Sequence, residues 1–174
     1  FFNRTAWALN LDANGVPQDL GNNLQRAEDQ LAVPPAIAYD IYYETNIQTL
    51  DWNDDNGVPQ YVPGLETGGP YNNIATESTC YMHLTAGAHR FVVSSDDGFQ
   101  IRSGATLSDP NAAVMGSRDG GTFGGTFDFV VQAEGLYPVR NLWYENGGGA
   151  HFTLSSRDLS GVNPDAVVND PNNP

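Results

Sequence analysis

Most of the chain is a series of short runs in which apolar and polar positions alternate, each closed by turn residues. Two such runs, Ser78 to Thr85 and His89 to Ser95, meet at Thr85, Ala86 and Gly87 and predict a hairpin with Phe91 and Val93 on one face. A short strand is expected around Ile101, between Gln100 and Arg102. FDFVVQA from Phe127 and LYPVRNLWY from Leu136 meet at Glu134 and Gly135, which predicts a second hairpin with Pro138 at an edge position or bulge. HFTLSSR then completes a meander. Strands at this spacing, closed by Gly and Asn/Asp turns, predict an all-β fold, an antiparallel sandwich or barrel.

One segment has a different period. Leu20, Leu24, Ala27 and Leu31 recur at helical spacing through GNNLQRAEDQLA, and Pro34 and Pro35 end the pattern. The expectation is one short peripheral helix, amphipathic and structural in role.

Composition narrows the picture. A chain of 174 residues with 40% hydrophobic content can bury one sizeable core, so a single domain is expected over 1–162. Residues 163–174, NPDAVVNDPNNP, are rich in Asn, Asp and Pro and predict a linker or domain junction. The chain is thus expected to be a monomeric module of a larger multidomain protein. Seven Lys and Arg against 21 Asp and Glu give a net charge of −14. This balance repels nucleic acid and anionic membrane surfaces, and it favours divalent cations. With no apolar run of 18 residues and no basic-then-apolar leader, neither a membrane span nor a signal peptide is expected. Cys80 has no partner for an internal disulfide, and its setting in TCYMHL predicts a buried, inert strand thiol.

The candidate chemistry lies in two segments. In SSDDGF, Asp96 and Asp97 close a strand-like run. Adjacent side chains on a regular strand point to opposite faces, so both carboxylates reach one target only if the backbone bends. Either this is an ordinary Asp-Gly turn, or a hard cation, which takes roughly 6–8 oxygen ligands, is the reason for the bend. The second segment, LWYENGGGAHFTL, runs from an aromatic strand through Asn146 and three glycines into another strand. It reads either as a flexible hairpin loop or as one side of an oxygen cage, with the Asn146 amide and main-chain carbonyls added to the two carboxylates.

Other candidates are weaker. In DWNDDNG, from Asp51 to Gly57, Asp51, Asn53 and Asp55 alternate as in a calcium loop, but Asn56 stands where glycine is needed and Val62 where a bidentate glutamate should be. An acidic surface turn is expected there. His83, His89 and His151 lack zinc-ligand spacing. His151 follows the glycine loop and is either a ligand contact or a solvated strand residue. Asp96, Asp97 and Glu145 are the carboxylates available for glycoside hydrolysis. Two adjacent aspartates facing one ion stay ionised, however, which disfavours a general-acid role. No serine or cysteine sits in a nucleophile-elbow context, so the chain is expected not to be an enzyme. A purely structural or protein-interaction module is the remaining alternative.

With both segments in view, the chain resembles, from about Cys80 to Arg157, the domain family named after the anthrax protective antigen (PA fourteen). The likeness is to its lectin branch, found in yeast flocculins, epithelial adhesins and bacterial surface adhesins. The family's paired aspartates match Asp96 and Asp97, its loop asparagine matches Asn146, and its carbonyl ligands fall on Gly148 and Ala150. The resemblance implies an Asp–Asp cis peptide bond and a calcium ion held by these five residues, through which sugar hydroxyls bind. The sugar would be a fucose-, mannose- or glucose-type pyranose on an extracellular or cell-surface glycan. Besides Asp96, Asp97 and Asn146, the expected sugar contacts are His151 on one wall and Arg118 or Asp119, from the loop GSRDGGTFG, on the other. The implied location is extracellular or at the cell surface.

Overall fold

The computed structural model describes residues 1–8, 11–16, 18–53, 61–65, 72–160 and 162–172. In chain order the elements are β1 (Phe2–Trp7), α1 (Leu24–Leu31), β2 (Ile41–Asn46), β3 (Asp51–Asn53), β4 (Ile74–Leu84), β5 (Gly87–Asp96), β6 (Phe99–Ser103), β7 (Ala113–Arg118), β8 (Phe123–Val131), β9 (Gly135–Glu145), β10 (His151–Ser156) and β11 (Ala166–Val167). They form two antiparallel sheets, one ordered β2-β1-β4-β9-β6-β7 and the other β11-β10-β5-β8, with β3 also pairing β10. The expected all-β antiparallel fold with one short helix is what the chain forms.

The alternating residues of the two inner faces make the main core. Phe91 and Val93 from β5, Phe99 and Ile101 from β6, Trp143 from β9, and Phe152 and Leu154 from β10 are all buried there. Trp52 stacks edge-on to Trp143 at 5.6 Å and lies tilted to Phe152 at 5.7 Å. Burial of each such side chain stabilises the fold by about 1.5–3 kcal/mol.

The two expected hairpins do not form. β4 and β9 lie in the six-stranded sheet while β5 and β8 lie in the other, so Thr85–Gly87 and Glu134–Gly135 are crossings between sheets. β10 likewise pairs β5 and β3 rather than β9. Period-two alternation specifies which side chains face the core, and consecutive strands satisfy it equally well within one sheet or across two facing sheets. Pro138 pairs Tyr81 on β4 and lies one residue beyond the last β6 partner, Val139, so its missing N–H falls where β9 has no neighbour on that side.

Helix α1 covers part of the outer face of the six-stranded sheet. Ala27 and Leu31 pack on Ala6, Ala75, Leu142 and Tyr144, which explains why β9 is buried on both faces near its end. Asn23 caps the helix, its Oδ1 accepting from the Arg26 N–H at 2.8 Å, and the chain leaves it at Ala32 before the prolines. Leu20 lies before the helix. Cys80 is half-buried on β4, and burial pushes its thiol up to about 11. Within the tail, Ala166–Val167 pair with Ser155 and Ser156 of β10. Of the acidic turn expected at 51–57, the first three residues form β3, and the remainder lies outside the described residues.

Candidate metal centre

Both candidate segments are sheet crossings at the same end of the sandwich. SSDDGF leaves β5 in one sheet and enters β6 in the other, and the ENGGGA loop takes β9 of the second sheet back to β10 of the first. Strand register brings them together, because Phe99 pairs Trp143 and Asp96 pairs His151. Backbone bonds then lock one crossing to the other: the Asp97 N–H donates to the Tyr144 carbonyl at 3.2 Å, and the Tyr144 N–H to the Gly98 carbonyl at 3.0 Å. The Trp143 indole N–H donates to the Asp96 carbonyl at 3.2 Å. Glycine is required at 98, since a Cβ there would run into the Tyr144 phenol and the Arg118 carbonyl.

The Asp96–Asp97 peptide bond is cis. Carboxylate oxygens of Asp96, Asp97 and Glu145 lie within 4.8 Å of one another. Thr122 donates to Asp96 Oδ1 at 2.9 Å, and the Asn146 N–H donates to Asp97 Oδ2 at 2.9 Å. The Asn146 amide oxygen is buried with no hydrogen-bond partner. Glu145 is fully buried, and neither of its oxygens makes a well-formed hydrogen bond. Burial, followed by the nearby charges of Asp97 and Asp96, pushes its carboxyl up to about 9. Three crowded carboxyl groups and an orphaned amide oxygen, all hard oxygen donors, form a set that can hold a hard cation such as calcium.

Asp96, Asp97 and Asn146 therefore come together. Glu145 joins them, although the sequence suggested it only for hydrolysis; its place at the end of β9, one residue before Asn146, was the available signal. Gly148 has φ of +111° and open space where a Cβ would stand, and Ala150 is buried just before β10. His151 Nε2 lies 3.0 Å from Ser94 Oγ. Arg118 donates from Nε to the Gly120 carbonyl at 2.9 Å. Asp119 Oδ1 accepts from the Leu24 N–H at 2.7 Å and the Tyr144 hydroxyl at 3.0 Å, so it ties the start of α1 to β9.

Sequence reasoning missed the part α1 plays behind the site. Arg26 is buried over the Tyr144 ring and donates to the carbonyls of Gly21, Ile74 and Glu145 and to Gln30 Oε1. Burial lowers its guanidinium to about 10, with Glu145 and Asp97 acting in the opposite direction. An arginine inside an otherwise amphipathic helix was the only hint.

No protein-family model and no curated protein matches the chain. Solved structures do. The PA14 domain of the MpAFP antifreeze protein aligns with 97% of this chain and 86% of its own, at a TM-score of 0.61 and 16% identity. The PA14 fold is the fold of this chain. The PA14 sugar-binding domain from an RTX adhesin aligns over 95% of the chain and 93% of its own, at a TM-score of 0.59 and 16% identity. The Epithelial Adhesin 6 A domain from Candida glabrata, in complex with Galb1-3GlcNAc, aligns over 99% and 89%, at 0.62 and 13%. At these identities the likeness carries the PA14 fold alone, and the use to which the site is put rests on its own residues.

Proposed function

We propose that the chain is a calcium-dependent carbohydrate-binding module of a secreted or cell-surface adhesin. The observation that carries this reading is the convergence of Asp96, Asp97 and Glu145 within 4.8 Å, with the Asn146 N–H bound to Asp97 Oδ2 and the Asn146 amide oxygen buried without a partner. Asp96, Asp97 and Asn146 would hold the ion, with the Gly148 and Ala150 carbonyls completing the cage. Bound there, calcium supplies open coordination positions for vicinal hydroxyls of a pyranose. Thr122 and the Asn146 N–H orient the aspartates for this role. Gly148 keeps the approach free of side-chain atoms. His151, Arg118 and Asp119 would form the rim.

The module is proposed as non-catalytic. Two adjacent aspartates facing one ion stay ionised, which disfavours the general-acid role that cleavage of a glycosidic bond needs. A glycan partner is supported by the sugar-binding RTX adhesin domain and by the Candida adhesin in complex with Galb1-3GlcNAc. Galactose-type sugars therefore join the fucose-, mannose- and glucose-type candidates. A glycan array in millimolar calcium, repeated with chelator, tests the reading. Binding to defined glycans that disappears with chelator is expected. If nothing bound in either condition while calcium still raised Tm, a structural ion in an interaction module would be the better account.

A further inference from the structure

Residues 119–122 carry the chain from β7 in one sheet to β8 in the other, at the end of the sandwich where the cation cluster lies, and Thr122 touches Asp96 there. The middle of this turn is two glycines in the left-handed region, Gly120 with φ of +78° and Gly121 with φ of +67°. Glycine adopts that conformation without strain, but it adopts most others as readily, so the turn's own sequence does not fix its shape. Contacts from outside must do so.

Tyr144 supplies them. Its hydroxyl accepts from the Gly120 N–H at 2.6 Å and donates to Asp119 Oδ1 at 3.0 Å, so both of its hydrogen bonds among the described residues go to this turn. Burial, followed by the bond to Asp119, raises the phenol above its ordinary value, which keeps it protonated and able to donate. The ring is held in turn. It is fully buried in the cluster with Ala27 and Leu31, the Arg26 guanidinium stands 5.1 Å from its centre, and Gly98 leaves it room because it has no Cβ.

The turn passes this order on to Arg118. The Gly120 carbonyl accepts from Arg118 Nε at 2.9 Å, so Gly120 is bound by Tyr144 through its N–H and binds Arg118 through its carbonyl. Arg118 itself is exposed. Thr122 is placed differently, by the start of β8, where Phe123 pairs Ser95, and its bond to Asp96 does not need the hydroxyl.

We infer that Tyr144 is a positioning residue for glycan binding: its hydroxyl, acting through Gly120, fixes the Arg118 guanidinium at the rim, where its planar set of N–H donors meets sugar hydroxyls. This rests on the glycan-binding reading and divides the work within it. The cation cluster is assembled by strand register and main-chain bonds, which the hydroxyl does not touch. The rim takes its order from the hydroxyl, so losing it should weaken the sugar and spare the ion.

Tyr144→Phe keeps the packed ring and removes only that group. Hydrogen exchange of the calcium-free protein, followed by NMR, reads the tie itself: the Gly120 amide should lose its protection while those of Asp97 and Tyr144 keep theirs. Calorimetry then separates ion from sugar. Calcium affinity should be unchanged, and affinity for fucose, mannose, glucose or lactose in saturating calcium, whichever wild type binds, should fall about tenfold, the size of about one hydrogen bond. Arg118→Ala should cause a similar loss, and adding Tyr144→Phe to it should cause little more, because the hydroxyl acts through that arginine. Unchanged protection of Gly120, sugar affinity equal to wild type in Tyr144→Phe, additive losses in the double variant, or a fall in calcium affinity that accounts for the sugar loss would each overturn the inference. Wild type that bound none of the four sugars would instead overturn the glycan reading, and the inference with it.

Discussion

The backbone N–H of Asn146 donates to Asp97 Oδ2 at 2.9 Å, joining the two loops that cross between the sheets at one end of the sandwich. Asp97 is thereby both anchored and aimed: its carbonyl accepts from Ser95 Oγ at 2.9 Å, and its N–H is held by the Tyr144 carbonyl. The site is assembled mainly by main-chain bonds, so its donor side chains can be changed without dismantling the scaffold.

Asp97→Ala should abolish calcium-dependent glycan binding while the far-UV circular dichroism of the β fold persists. Calorimetric titration with calcium checks this, and wild-type affinity in the variant would remove Asp97 from the site.

Replacing Asn146 by alanine removes an amide oxygen that has no partner inside the protein, so little stability should be lost. Calcium affinity should drop about tenfold, equivalent to about 1.4 kcal/mol. A loss of Tm with unchanged calcium affinity would mean that the amide serves the fold instead.

Glu145→Gln keeps the shape of a fully buried side chain and removes a carboxylate from the cluster. Weaker calcium binding in an intact fold is expected if Glu145 contributes charge to the ion. Calcium titration of the variant decides it, and unchanged affinity would place Glu145 outside the coordination sphere.

Arg26→Met should be the most costly of these substitutions. It leaves the carbonyls of Gly21, Ile74 and Glu145 without their donor, at a cost of about 3 kcal/mol, or about 6–12 °C in Tm for a chain of this size. Thermal unfolding without calcium measures this directly.

Cys80 should react slowly with alkylating reagents. Burial holds its thiol up at about 11, so near pH 8 the thiolate fraction, and with it the rate, should be about a hundredfold below that of an unhindered cysteine. The rate should climb tenfold per pH unit towards that value. A rate near that of free cysteine would show that β4 opens readily in solution.

The strands and the bend at the paired aspartates were legible in the sequence because both depend on local pattern. Phe91 and Val93 announce one buried face, and Asp96-Asp97-Gly98 announces a bend at a point where glycine proves to be required beside Tyr144. The partition of strands between sheets was not legible, because Thr85–Gly87 and Glu134–Gly135 look alike as hairpin turns and as crossings. The support behind the site was hidden for a different reason. Arg26 reaches Glu145 across 119 residues, and Asp119 reaches Leu24 across 95, and spacing along the chain carries no trace of such contacts.

The most direct test of the account is a crystal structure of the chain grown with calcium and lactose or another array-positive glycan. The account predicts an ion in contact with Asp96, Asp97 and Asn146, with two sugar hydroxyls completing its coordination. A sugar bound away from these residues, or an ion seated elsewhere, would contradict it.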